Sequence, residues 1–132
     1  MTYRILITGS RTWTDEQTIR DALAAIISRH GPEQVTVVHG ACPRGADAIA
    51  DRIATAWGVT VERHPADWSI GRRAGFARNA HMVALGADVV LAFIDPCTNL
   101  QCVRGGRHGS HGAVHCAHLA RRAGIEVRRW PR

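Results

Sequence analysis

VTVVHGACPRGADAIA, residues Val35 to Ala50, contains a complete passage from strand through turn to helix. Val35, Thr36, Val37 and Val38 are β-branched and read as a short buried strand. His39 to Gly45 is a turn that carries Gly40, Gly45 and Arg44, and Ala46 to Ala50 opens a helix. A strand that feeds a Gly-bounded loop and then a helix N-terminus presents backbone N–H groups to an anion. Gly40 and Gly45 allow close backbone approach, and Arg44 can fork onto phosphate oxygens. The same residues also suit an ordinary strand-to-helix turn, so the rest of the chain decides between the two.

Working outward, the pattern recurs. Tyr3 to Thr8 is a mostly apolar strand followed at once by Gly9-Ser10-Arg11. Thr14 with Gln17 three residues on reads as a capping box, and the helix it starts runs to about Arg29 with Ile19, Leu23, Ile26 and Ile27 on one face. Gly31-Pro32 stops it. The helix after the central turn runs from about Gly45 to Trp57, and Val59 to Arg63 is a mixed, edge-like strand. His64 to Trp68 is irregular, and a third helix covers about Phe76 to Leu85. Asp88 to Ile94 is the most hydrophobic strand and is expected to be central. A long loop, 95–112, precedes a last helix over about Ala113 to Ala123 and a last strand over Ile125 to Arg128. Strands alternate with helices throughout. The expected fold is α/β, a Rossmann-like three-layer sandwich with a mostly parallel sheet of about five strands, in one domain over residues 1–132. A ligand then binds outside the carboxyl ends of the strands, walled by the loops after the first, second and fourth.

Composition narrows the class. The 132 residues are 45% hydrophobic and 21% charged, as in a soluble globular protein. No apolar run reaches the length of a membrane span and no signal-peptide pattern opens the chain, so a cytoplasmic protein without a membrane partner is expected. The formal charge is +6 and all 17 basic residues are Arg, which suits an anionic ligand and brings nucleic acid into consideration. Only Arg121-Arg122 and Arg128, Arg129 and Arg132 cluster. Structural disulfides are not expected among the four Cys; metal binding or inert burial is.

Ser10 and Arg11, with Gly9, are candidates for a phosphate or ribose, and Arg78-Asn79 can reach a purine edge or a ribose. Trp68 is either a stacking platform for a base, with Asp67 on a hydroxyl, or a plug over the core. Ser110, Gly112 and Ala113 sit where the last helix opens and can cap a second phosphate. Ala46 and Asp47 begin the second helix beside Gly45. Cys97, Cys102 and His108, with His111 or Cys116 as a fourth, form a candidate Zn²⁺ set in the long loop, although the spacing is not that of a standard finger. The other reading leaves Cys116 as a buried thiol on the inner face of the helix.

Together, TGSR (8–11), VHG-x-CPRGAD (38–47), HPADW (64–68), AGFARNAHM (74–82) and GADVVLAF (86–93) resemble the YspA branch of the SLOG superfamily. That superfamily also includes Lonely Guy phosphoribohydrolases and DprA-type DNA-processing proteins. The resemblance spans Tyr3 to about Val127 and implies a Rossmann-like fold that binds nucleotides or nucleotide-derived ligands. Some relatives hydrolyse the N-glycosidic bond of nucleotides, and others sense nucleotide signals in conflict systems, including those of phages. Relatives often pair through helices, which implies a homo-oligomer. Lonely Guy enzymes carry PGG-x-GT-x-x-E, and here Gly109 to Cys116 stands in that place, with Ala113 for the Thr and Cys116 for the catalytic Glu. Glycosidic cleavage needs a carboxylate, which only Asp47 or Asp67 would be left to supply. The expectation is therefore a module that binds or senses a nucleotide or ADP-ribose-like ligand. The alternatives are an N-glycosidase or ribosyltransferase, and a DprA-like DNA-binding protein.

Overall fold

A computed structural model describes residues 2–71, 73–97, 109 and 111–130. Five parallel strands form one sheet in the order β3-β2-β1-β4-β5, flanked by helices in the α/β, Rossmann-like arrangement. The strands are β1 (Tyr3–Gly9), β2 (Val35–His39), β3 (Thr60–Arg63), β4 (Val89–Phe93) and β5 (Glu126–Trp130). The helices are α1 (Glu16–His30), α2 (Ala46–Ala56), α3 (Ala74–Leu85) and α4 (His111–Arg122). β1 holds the middle of the sheet, and β4, expected to be central, lies beside it; β3 is at an edge, as its mixed composition implied.

Strand alternation sorts the core into two layers. Ile5 and Ile7 of β1, Val35 and Val37 of β2, and Val89, Leu91 and Phe93 of β4 pack with Ile19 and Leu23 of α1 and Ile49 and Ile53 of α2. Leu6, Val38 and Val90 face the other way, onto Met82 and Val83 of α3 and Cys116 and Ala120 of α4. Each large aliphatic chain so buried contributes about 1.5–3 kcal/mol. β4 is buried along its whole length because both of its faces are covered.

Local chemistry moved several boundaries. Asp15, not Thr14, caps α1: its carboxylate accepts from the Thr18 N–H at 3.1 Å, and an ionised carboxylate is the stronger acceptor at a helix N-terminus. Gln17 donates to Asp21 instead of closing a capping box. α3 starts at Ala74 and α4 at His111, each two residues earlier than periodicity implied. β5 reaches Trp130, whose ring stacks on Phe93 with centroids 4.9 Å apart. The base of the long loop is pinned by an antiparallel bridge between Pro96 and Gly109.

The switch in winding direction falls between β1 and β4. There the carbonyl of Ser10 accepts from the Trp13 and Ala46 N–H groups, both at 3.2 Å, so the loop after β1 lies directly on the start of α2. Gly45 meets this crossing with φ +79°, and a Cβ there would stand 2.3 Å from the Ser10 carbonyl oxygen. At Gly9 a Cβ would stand 2.3 Å from that of Ala46. Gly45→Ala combines a left-handed backbone with a clash against main chain. It is expected to cost about 2–4 kcal/mol, measured by urea unfolding. Wild-type stability in that variant would mean the crossing is looser than described.

Candidate functional site

The loops above the carboxyl edge of the sheet enclose one cavity of about 560 Å³. The loop after β1 supplies Gly9, Ser10, Arg11 and Thr12, and the loop after β2 supplies Gly40, Ala41, Cys42 and Pro43. Pro65, Ala66 and Trp68 follow β3, and Gly75, Phe76, Arg78, Asn79 and Met82 come from α3. Pro96 and Cys97 follow β4, and His111, Gly112 and Ala113 open α4. Thr8 and Asp47 line its buried end.

Of the expected ligand-binding residues, Gly9, Ser10, Arg11, Gly40, Asp47, Trp68, Arg78, Asn79, Gly112 and Ala113 are thus brought together. Arg44, Gly45 and Ala46 are not among the lining residues; Arg44 is exposed, and Gly45 and Ala46 form the crossing under Ser10. Asp67 is exposed and caps a short 3₁₀ turn, accepting from the Ser69 N–H at 3.1 Å. Ser110, Cys102 and His108 lie outside the described residues.

Many polar groups at the rim are engaged within the protein. The Ser10 hydroxyl accepts from the Asp95 N–H at 2.8 Å and tethers the loop after β4 to that after β1. Arg78 donates to the carbonyl of Gly40, to that of His64 at 3.5 Å and to the Asn79 side-chain oxygen at 2.9 Å. Asn79, buried, donates in turn to the Gly112 carbonyl at 3.1 Å and joins α3 to the first turn of α4. In the turn after β2, the Ala41 N–H donates to His39 at 2.9 Å and that of Cys42 to Asp47 at 3.4 Å. The Ala46 N–H is held by Ser10. The Asp47 side chain thus turns back from the first turn of α2 to accept from the turn after β2.

Burial pushes the Asp47 carboxyl above its ordinary value, opposed by the backbone N–H donors of Cys42 and Gly40 and by the charge of Arg78. Arg11 lies over the exposed Trp68 ring, 5.7 Å from its centroid. Phe76 projects beside the same mouth, 45% exposed.

Cys97 and His111 meet, Sγ to Nε2 at 3.5 Å, on the cavity wall. They make two donors of the kind Zn²⁺ takes, half the set of a structural site. Among the described residues no group of three or more His, Cys, Asp or Glu is arranged to hold a metal. Cys116 is fully buried on the inner face of α4, its thiol pushed up to about 11 mainly by burial.

Sequence reasoning passed over Thr8, Thr12, Cys42, Phe76 and Met82 as lining residues. Phe76 carried a misleading signal: three and seven residues before Asn79 and Val83, it shares their helical stripe, yet its ring is 45% exposed. Met82 carried none, since a core methionine and a cavity-lining one have the same periodicity.

Residues 3–71 match the model of the YspA, cpYpsA-related SLOG family. The chain is also 48% identical over 132 residues to the Gene 61 protein of Mycobacterium phage D29, covering 94% of this chain and 93% of that protein. It belongs to the YspA, cpYpsA-related SLOG family. No solved structure matches this SLOG chain significantly. Among the described residues no helix is long and apolar enough to cross a membrane.

Two carboxylates, Asp51 of α2 and Glu62 of β3, lead us to expect that the stability of this SLOG domain falls in acid. Asp51 is held at about 2, against an ordinary 3.8, by Arg63 first and by His39. Glu62 is held at about 2, against 4.5, by Arg4 first and by His64. Both values are depressed, so the stabilisation is complete above the ordinary carboxylate range and is lost as pH falls toward about 2. The melting temperature should fall over that window, and less steeply in Arg63→Ala, which removes the main cause at Asp51. Identical slopes in calorimetry would show that Arg63 does not set the Asp51 titration.

Proposed function

We propose that the cavity binds a nucleotide or a nucleotide-derived ligand of the ADP-ribose type. The observation that carries this reading is the meeting of three unlike walls around one hollow of about 560 Å³, a size suited to such a ligand. The aromatic wall of Trp68 and Phe76 offers a face on which a base can stack. The Asp47 carboxylate at the buried end is an acceptor for ribose hydroxyls. Arg11 and the first turn of α4, at His111, Gly112 and Ala113, bring positive charge for a phosphate. Membership of the SLOG family supports the same class of ligand. The anion site is assigned to Arg11 and α4 because Arg44 stands outside the cavity and the Ala46 N–H at the start of α2 is taken by the Ser10 carbonyl.

A second reading, hydrolysis of an N-glycosidic bond, is favoured by one observation. The charge of Asp47 is felt at Cys116, the residue standing where Lonely Guy enzymes carry Glu. A protonated Asp47 at the buried end of the cavity can give its proton to the leaving base as the C1′–N bond breaks, and the carboxylate so formed takes up the proton of the water that adds to C1′. DNA binding rests on the net charge of +6 and on the kinship with DprA-type proteins.

Isothermal titration with AMP, ADP-ribose and adenosine tests the binding reading. Arg11→Ala is expected to weaken AMP and ADP-ribose by about tenfold to a hundredfold and adenosine by much less. Trp68→Ala is expected to weaken all three by about tenfold or more, through lost stacking. Arg44→Ala is expected to leave AMP affinity unchanged. Arg11→Ala with wild-type AMP affinity overturns the assignment. Chromatography after incubation with nucleoside monophosphates tests the second reading: free base, abolished in Asp47→Asn, is its signature.

A further inference from the structure

The turn after β2 contains the one non-glycine residue in the left-handed region among the described residues, Ala41 at φ +58°. That backbone conformation is strained for an alanine, so something must hold it. Its N–H donates to Nδ1 of His39, two residues back, at 2.9 Å. His39 is 2% exposed, and its other ring nitrogen, Nε2, lies 2.7 Å from the Asp51 carboxylate. Asp51 is also forked by Arg63, Nε at 2.7 Å and Nη2 at 3.0 Å. It accepts from the Thr55 hydroxyl at 3.3 Å as well.

These contacts define the imidazole chemically. A ring nitrogen that accepts from an N–H carries no proton, so Nδ1 is bare. Nε2 then carries the proton and donates it to Asp51, which Arg63 keeps ionised. Arg63 fixes the charge on Asp51, Asp51 fixes the tautomer of His39, and the tautomer supplies the acceptor that Ala41 needs. The next residue, Cys42, donates its N–H to Asp47, so the position of Ala41 is passed directly to the buried carboxylate of the cavity.

We propose that His39 is the positioning residue of the cavity. As the Nε2–H tautomer fixed by Asp51 and Arg63, it holds Ala41 left-handed, and so sets Ala41, Cys42 and Asp47 in the wall. His39 does not line the cavity, so it acts through the turn and not on a ligand. The role follows from the wall's geometry and does not rest on which ligand the cavity takes.

The test uses two near-isosteric variants and no ligand. Asn at position 39 places an amide oxygen near the Nδ1 position and keeps the acceptor for Ala41. Gln places its amide nitrogen near Nε2, keeping the donor to Asp51 and losing the acceptor. Both remove the imidazole from the core, so a merely structural role predicts the same effect in each. The proposal predicts that His39→Gln raises the hydrogen-exchange rate of the Ala41 amide by about tenfold, with faster alkylation of Cys42 by iodoacetamide in peptide mapping. His39→Asn is expected to stay within about twofold of wild type by both measures. Equal effects in the two variants overturn it. Nitrogen NMR of the unmodified protein decides the matter without any variant. Nδ1 bare and Nε2 protonated is the expected spectrum, and a proton on Nδ1 at neutral pH overturns the proposal.

Discussion

The structure depends on the place where the loop after β1 lies on the first turn of α2. One carbonyl, that of Ser10, takes the N–H groups of Trp13 and Ala46, while Ser10's own N–H reaches the carbonyl of Phe93 at 2.9 Å. Three segments far apart in sequence are thereby fixed at the point where the sheet reverses its winding direction. Such an approach of backbone to backbone excludes side chains, and Gly9 and Gly45 stand on either side of it. Gly45 and Ala46, expected to face a ligand, form part of this joint, and the cavity opens beside it.

Above that joint, polar groups of the walls are largely tied to one another. Arg78 bridges the turns after β2 and β3 through their carbonyls, and Asn79 ties α3 to α4. Charge-assisted and buried bonds of this kind hold a hollow open against collapse and limit what its walls can offer a ligand. In the proposed binding function, recognition falls to a few groups at the two ends: Asp47 within, and Arg11 with its aromatic neighbours at the mouth. A cavity prepared in this way loses little conformational entropy when it fills.

Of the two departures from the Lonely Guy motif, Ala113 for Thr and Cys116 for Glu, the second bears on the buried end. Cys116 is a buried thiol whose proton is held by its surroundings, and it cannot play the part of an ionised carboxylate. Asp47, on the opposite side of the sheet's edge, is the carboxylate that this cavity keeps. Burial, more than any partner, governs its proton.

The order of apolar strands and amphipathic helices, with glycines closing each, was sufficient to read an α/β fold with parallel strands, because periodicity and turn chemistry are local. Motif order was sufficient to read the family. Ile19, Leu23, Ile26 and Ile27 faced the core as their spacing required. Which residues share a wall is a different kind of fact. Arg44 and Arg78 read alike along the chain, yet one is in solvent and the other binds two turns together. Asp67 and Asp47 read alike, yet one caps a turn and the other is buried in the cavity. His39 carried no signal at all, since its side-chain partners lie on α2 and in its own turn, and the Arg63 that holds Asp51 lies on β3. Local pattern specifies where the chain bends and which face is apolar. The use made of a polar side chain depends on what the fold brings within about 3 Å of it, and only the tertiary structure decides that.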